Sequence, residues 1–370
     1  MKQLREKLPL LRKLIGPAFA TIMFVLAMRL LLNELKNVTW EEFRLGMSNV
    51  PIAQIFMAAL LVAMNYVLLI AYDLLGLRYI ARSVPVRRVS LVSVSSFSLG
   101  NNLGTILAAS PIRFRFYTQW GLSPGHVLAL ISVIGVTFWS GWIFISGLVL
   151  SSVPLQLPEK VKLPLDSQTL GWVLIGIAVV YICICVFWRK PWPIGKMHLR
   201  PPRPGLMFAQ ASVAAIDLLI SATALYLVLP EGAQVPFSLV LAAYLVAMGA
   251  AVLSQIPGGL GILDVILLTL LKDASENSVV ASILIFRILY YWLPLMVGMS
   301  LLVGYEIMGG VKQASRAKAL TSDVSDAEKK LPVQERHPRE DEDDAATADD
   351  RPAPPADSND NPSHQPPPDD

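Results

Sequence analysis

The sequence predicts an all-α integral membrane protein with two inverted halves, six crossings and two re-entrant broken-helix hairpins. Three observations support this fold class. Hydrophobic residues make up 54% of the 370 residues and charged residues 16%, whereas soluble domains carry about 25% charged residues. Apolar stretches long enough to cross a bilayer recur along the chain. Lys and Arg are concentrated in alternate connecting segments, as expected when basic loops stay in the cytoplasm.

The predicted crossings are apolar runs of about 20 residues, the length that an α-helix needs to span the hydrocarbon layer. They are Leu14–Leu32, Ile52–Leu75, Val127–Leu150, Leu170–Trp188, Leu206–Leu229 and Val279–Val303. The first run follows a basic N-terminus, as in a signal peptide, but no small-x-small cleavage site follows it. We therefore expect this run to be retained as a transmembrane helix.

The basic loops predict the orientation. Five Lys or Arg lie in residues 1–15, four in residues 76–90 and five in residues 189–205. Segments 33–51 and 151–169 hold two each. The Lys- and Arg-rich loops should face the cytoplasm, which also places both termini there.

Two further apolar stretches, Ser90–Ser110 and Phe237–Leu271, are irregular. The first is rich in Ser, Gly and Asn, and the second is interrupted by Pro257-Gly258-Gly259-Leu260-Gly261. If either crossed fully, the flanking loops would lie on sides that disagree with their Lys and Arg content. We therefore expect the first stretch to re-enter from the cytoplasm and the second from outside. In the alternative, both cross fully and a lysine-poor loop lies inside.

Each half then has three crossings and one re-entrant stretch, so the second half is inverted. Asp73-Leu74-Leu75 in one half resembles Asp217-Leu218-Leu219 in the other, and a proline follows each at a similar distance. Broken helices in inverted repeats are typical of transporters, with the substrate site near the breaks. The predicted breaks are Pro111, Pro257, Gly258, Gly259 and Gly261.

The domain organisation follows the charge distribution. A membrane domain is predicted at residues 1–310, with halves at about 10–152 and 168–305. Residues 311–370 hold 8 Lys/Arg and 15 Asp/Glu, so an acidic, proline-rich tail follows a basic membrane body. The tail is too polar to bury a core, and we expect it to be disordered, cytoplasmic and dispensable for folding.

Ionisable side chains inside membrane segments are costly and therefore indicate function. The candidate substrate-binding residues are Arg113, Arg115, Asp73, Asp217, Asp264 and Arg287. Arg113 and Arg115 suit a phospholipid phosphate, because guanidinium groups bind phosphate by paired hydrogen bonds. Alternatively, they anchor a helix end to anionic lipid. In an extended chain both would point to one side, and in a helix they would diverge.

Asp264 follows the glycine-rich segment, in the first turn of a helix expected to begin near Gly261. Its carboxylate either stabilises that helix terminus or binds a headgroup ammonium or a proton. Arg287, one helix later, is its expected partner, and such a pair is compatible with a transporter gate. Asp73 and Asp217 offer further negative sites. If the two arginines bind phosphate, Arg113→Ala should lose lipid handling and keep its fold.

The sequence lacks the catalytic and metal-binding patterns that would indicate an enzyme. It contains no G-x-S-x-G or H-E-x-x-H motif, and Gly258-Gly259-Leu260-Gly261 lacks the Lys-Ser/Thr of a phosphate-binding loop. Two cysteines exclude a disulfide framework, and four scattered histidines do not favour a metal site. We therefore predict no enzymatic activity, no metal, no cofactor and no nucleic acid partner.

These motifs resemble the lysylphosphatidylglycerol synthase transmembrane-region family, which includes the flippase half of bacterial multiple peptide resistance proteins and stand-alone members. The matching points, between about residues 10 and 310, are Asp73, residues 110–117 with Gly121-Leu122-Ser123, residues 257–261, and Arg287 with Tyr290-Tyr291. The chain departs from the family in two ways. The acid after the glycines is often Glu and here is Asp264, and an acidic tail stands where synthases have an aminoacyltransferase domain.

The resemblance implies a flippase-like transporter of the bacterial inner membrane that moves phospholipid, aminoacylated lipid or glycolipid. It gives functional weight to Asp73, Arg113, Asp264 and Arg287. Aminoacyl transfer by this chain alone is not expected. The alternative is a non-transporting membrane subunit that binds a partner enzyme of envelope-lipid synthesis.

Overall fold

A computed structural model describes residues 50–155, 166–188, 190, 192–194, 197–229, 235–254, 259, 262–271 and 276–308, and single residues at 25, 29, 44 and 48. Most of the predicted first crossing, the predicted breaks at Pro257, Gly258 and Gly261, and the tail at 311–370 lie outside the described residues. The predicted domain boundaries therefore stay predictions.

The described chain is helical apart from one short antiparallel hairpin. The helices are α1 (Ile52–Tyr79), α2 (Val86–Leu103), α3 (Ser110–Gln119), α4 (Pro124–Ser152), α5 (Ser167–Phe187), α6 (Pro204–Leu227), α7 (Phe237–Ser254), α8 (Ile262–Leu270) and α9 (Glu276–Arg287). The hairpin pairs β1 (Trp192–Ile194) with β2 (Met197–Leu199). A π-helical turn, Thr105–Ala109, precedes α3, and a second, Ile288–Trp292, follows α9 and leads into helix up to residue 308.

Six helices in this part of the chain are long and apolar enough to cross a membrane: α1, α4, α5, α6, α7 and the helix Val279–Met308. Five of them confirm predicted crossings. The sixth, α7, begins the second stretch that the sequence predicts to be re-entrant. Its 18 residues are about 27 Å long at 1.5 Å per residue, enough for a full crossing. The re-entrant paths and the inverted repeat remain predictions.

The first irregular stretch folds back on itself at Gly104. This residue has φ +96°, a conformation that glycine adopts without strain. The two arms pack closely, since a methyl group at Gly100 would lie 2.7 Å from the Cβ of Ala109. Pro111, which the sequence indicates as the break, instead lies in the first turn of α3, directly after the π turn. A π turn accommodates local irregularity in a helix, so the chain continues as helix through this proline.

The helix Val279–Met308 lies at the centre of the membrane domain. In its most apolar window 78% of the residues are buried, against 22% for α5 at the periphery. The α1 and α6 helices pack against each other, and α4 packs against both. The helix Val279–Met308 is therefore the most buried of the six long apolar helices in the described chain.

Close approach of α4 and α6 depends on Gly141. A methyl group at this position would overlap the Cβ of Ala214 and lie 2.9 Å from its backbone carbon. We expect Gly141→Ala to cost about 1–3 kcal/mol through overpacking, measured as a lower thermal unfolding temperature in detergent. Gly135→Ala on the same helix is the matched control, because nothing lies within 4 Å of its added methyl. Equal unfolding temperatures for the two variants would contradict the close packing.

Candidate functional site

Asp73 of α1 and Arg113 of α3 form an ion pair inside the protein. The Nε of Arg113 donates to Oδ1 of Asp73 at 3.0 Å, and its Nη2 donates to Oδ2 at 2.9 Å. The Arg113 side chain is 2% exposed and that of Asp73 0%. The hydroxyl of Tyr117 donates to Oδ1 of Asp73 at 2.9 Å, and the Arg113 guanidinium lies 4.6 Å from the ring centroid of Phe97. The pair is therefore enclosed, and it fastens α3 to α1.

Arg115 lies on another face of α3 and pairs with Glu306, near the end of the central helix. The two side chains are 18% and 17% exposed. The indole N–H of Trp120 donates to the hydroxyl of Tyr305 at 3.3 Å beside them. Arg113 and Arg115 thus diverge, as the helical alternative predicts, and each contacts its own carboxylate. The structure does not bring them together as one two-arginine site.

Asp264 and Arg287 form a second two-point ion pair, as the sequence predicts. The Nε of Arg287 donates to Oδ1 of Asp264 at 2.9 Å, and Nη2 donates to Oδ2 at 2.7 Å. Asp264 lies in the first turn of α8, and Arg287 ends α9 just before the π turn. The side chains are 28% and 10% exposed. This pair is therefore more accessible than the enclosed pair of Asp73 and Arg113.

Asp217 of α6 has neutral surroundings. The hydroxyl of Tyr72 donates to its Oδ2 at 2.7 Å, and Asp217 is 6% exposed. In the described part of the chain no Lys, Arg or His forms an ion pair with it. The structure thus separates Asp217 from the other two aspartates, each of which contacts an arginine.

Next to Asp217 the structure reveals polar contacts that were not predicted from the sequence, including those of Asn65 and Ser221. The side-chain amide of Asn65 donates to Oγ of Ser221 at 3.1 Å and to the hydroxyl of Tyr290 at 3.4 Å. The hydroxyl of Ser221 donates to that of Tyr290 at 3.2 Å. We call Asn65, Tyr72, Asp217, Ser221 and Tyr290 the polar cluster. It joins α1 and α6 to the π turn of the central helix.

One residue step on α1 separates the polar cluster from the first ion pair. Tyr72 contacts Asp217 on α6, whereas Asp73 contacts Arg113 on α3. Successive residues of a helix point about 100° apart, so neighbouring positions of α1 serve different partners.

An apolar groove lies on another side of the domain, between α4, α5 and α6. Its volume is about 570 Å³. Its lining includes Trp139, Phe144, Ile177, Tyr181 and Phe208. The groove has few polar groups and suits a hydrocarbon chain. Among the described residues, no group of three or more His, Cys, Asp or Glu could hold a metal ion.

The fold and these buried charges define a class: a polytopic helical membrane protein with ion pairs between its membrane helices. No protein-family model matches the chain. It is 29% identical over 288 residues to an uncharacterized protein of Synechocystis sp., covering 77% of this chain and 89% of that protein. It is 27% identical over 301 residues to Inner membrane protein YbhN of Escherichia coli, covering 80% and 93%.

A second kind of relative is an enzyme of lipid metabolism. The chain is 23% identical over 291 residues to phosphatidylglycerol lysyltransferase of Staphylococcus aureus, covering 76% of this chain. The match spans only 33% of that protein, its N-terminal part. The relatives are thus membrane proteins and include the membrane region of a lipid-modifying enzyme, which indicates a role related to membrane lipids. They are consistent with the family resemblance.

Proposed function

We propose that this chain is a flippase-like transporter of phospholipid, aminoacylated lipid or glycolipid in the bacterial inner membrane. The observation that carries the proposal is the pair of Asp264 and Arg287. It lies between apolar helices, where isolated charges are costly, and yet the Asp264 side chain is 28% exposed. An ion pair that a ligand can reach is suited to exchange one partner for a substrate.

The exchange follows from guanidinium chemistry. Arg287 presents Nε and Nη2 to the two oxygens of Asp264, and the same two donors fit two oxygens of a phosphate. A lipid phosphate would displace Asp264 from Arg287 and release a carboxylate that can meet a cationic headgroup. Arg113 is a poorer candidate for phosphate than the sequence indicated, because Asp73 and Phe97 enclose it.

The apolar groove between α4, α5 and α6 supports the same proposal. Its volume of about 570 Å³ lies within the range of about 300–1,000 Å³ of small-molecule sites. Its apolar lining would hold an acyl chain while the headgroup is bound elsewhere. The lysyltransferase relatives, whose name specifies phosphatidylglycerol, favour a phospholipid with an anionic or aminoacylated headgroup.

The proposed orientation places both termini in the cytoplasm and the C-terminal end of α4 outside. Ser123 directly precedes α4 and Ser152 is its last residue, and both are exposed. On a background with Cys183→Ser and Cys185→Ala, a cysteine at Ser152 should react with an impermeant maleimide in intact cells. A cysteine at Ser123 should react only after permeabilisation. The reverse labelling pattern would overturn the orientation.

Lipid movement in vesicles that contain only this protein tests the function. Fluorescent phosphatidylglycerol is placed in both leaflets, and dithionite is added outside. Active protein should expose the inner-leaflet label faster than protein-free vesicles do. An identical rate in both preparations would contradict transport. It would favour the alternative, a membrane subunit for a lipid-synthesis enzyme, which the partial match to the lysyltransferases also supports.

A further inference from the structure

We propose that Asp217 is a proton-binding site inside the membrane domain, and that it is neutral when the protein is at rest. We further propose that a proton gradient drives lipid movement through this site. This coupling rests on the proposed function. Proton binding itself does not depend on lipid transport.

The three intramembrane aspartates have different partners. Guanidinium groups donate to both carboxylate oxygens of Asp73 and to both of Asp264. Asp217 instead accepts from a neutral group, the hydroxyl of Tyr72. A buried carboxylate without a cation is costly, and such a group takes up a proton instead. Of the three aspartates, the geometry therefore assigns the proton to Asp217.

Among the residues that the structure describes, no Lys, Arg or His forms an ion pair with Asp217. The titratable side chains that interact with it electrostatically are Tyr66 and Tyr72 of α1, Tyr244 of α7 and Tyr290 of the π turn. Free tyrosine titrates near pH 10, so these four side chains are neutral at physiological pH.

The other elements that pack against α6 hold their ionisable groups elsewhere. His126 lies in the first turn of α4, 2.6 Å from Oγ of Ser123. Tyr181 of α5 lines the apolar groove, and Cys183 of the same helix is exposed. Arg287 of α9 contacts Asp264. Asp73 lies beside Tyr72 on α1, but its charge is matched by Arg113.

Further buried polar side chains lie on α6 and on the helices that pack against it. Gln210 lies two helical turns earlier on the same face and is 1% exposed. Within the described residues, neither polar atom of its amide has a hydrogen-bond partner. The same holds for Oδ1 of Asn65 and the hydroxyl of Tyr244. Buried polar atoms of this kind commonly bond to ordered water, which suits a site that takes up a proton.

Infrared spectroscopy of the purified full-length protein tests proton binding without any transport assay. At neutral pH the wild type should show a carboxylic acid carbonyl band that Asp217→Asn lacks. The band should persist in Asp264→Asn, because Asp264 forms an ion pair with Arg287. Asn is close in shape to a neutral acid and still accepts from Tyr72, so the variant should unfold at the wild-type temperature. No acid band in the wild type, or an unchanged band in Asp217→Asn, would overturn the site.

Vesicles with an imposed pH gradient test the coupling. The wild-type rate of phosphatidylglycerol movement should change several-fold with the gradient, and the Asp217→Asn rate should not. A wild-type rate of phosphatidylglycerol movement that is the same with and without the gradient would overturn the coupling. If the wild type moves no lipid in any gradient, the proposed function fails, and the infrared band still decides whether Asp217 binds a proton.

Discussion

Arg113→Ala should destabilise the membrane domain by about 3–5 kcal/mol, the usual cost of leaving a buried charge without its partner. Asp73 is fully buried and receives hydrogen bonds from this guanidinium on both carboxylate oxygens. Thermal unfolding of the purified protein in detergent, followed by tryptophan fluorescence, measures the loss. From the sequence we expected this variant to keep its fold, because the contact between Arg113 and Asp73 was not foreseen. The enclosed ion pair now predicts a loss of stability instead.

Three further variants show whether the pair is responsible. Asp73→Ala combined with Arg113→Ala should recover part of the stability, because neither charge then remains unpaired. Arg113→Lys should recover little, since an ammonium cannot make the two-point contact. Arg115→Ala should lose less than Arg113→Ala, because its pair with Glu306 is partly exposed. An unfolding temperature of Arg113→Ala equal to that of the wild type would show that the pair is unimportant for stability.

Arg287→Ala should slow phosphatidylglycerol movement in vesicles by about 10–100-fold. Hydrogen bonds to charged groups contribute about 1.5–3 kcal/mol, and each 1.4 kcal/mol corresponds to about a factor of ten. Folding should suffer less than in Arg113→Ala, because the Asp264 carboxylate that is left behind is 28% exposed. Arg287→Lys should move lipid at an intermediate rate, since it keeps the charge and loses the planar fork.

Arg82→Ala is the matched control for this prediction. Arg82 is an exposed arginine in the loop after α1, and its removal should leave the rate of lipid movement unchanged. If Arg287→Ala moved lipid at the wild-type rate, Arg287 would have no role in binding the lipid. An equal loss in both variants would indicate that overall positive charge, rather than the Asp264–Arg287 pair, determines the rate.

The crossings were predictable because the thickness of the hydrocarbon layer determines how long and how apolar a membrane-spanning helix must be. The pairing of Asp264 with Arg287 was also predictable, since both are ionisable residues in apolar surroundings and such residues pair. The break at Gly104 was not. Several glycines and serines in that stretch are equally permissive, and only packing of the two arms selects one of them. The contact between Asp73 and Arg113 was missed because Arg113 was assigned to a lipid phosphate, and the sequence does not show which carboxylate an arginine on another helix meets.

The polar cluster was missed for a different reason. Uncharged side chains such as Asn65 and Ser221 are common in membrane helices, where they bond to neighbouring helices. One signal was available in the spacing. Asn65 and Tyr72 lie two turns apart on one face of α1, and Asp217 and Ser221 lie one turn apart on α6. Facing polar stripes on two apolar helices predict contact between them, although not which residues meet.

The adjacency of Tyr72 and Asp73 on α1 has a mechanical consequence. A backbone helix transmits rotation rigidly over one residue, so turning α1 far enough to part Tyr72 from Asp217 also turns Asp73 relative to Arg113. The first contact cannot be released while the second is held at its present geometry, unless a side chain changes rotamer. Rotation of α1 would therefore change its contacts with α3 and with α6 at the same time, so one helix couples the two contacts.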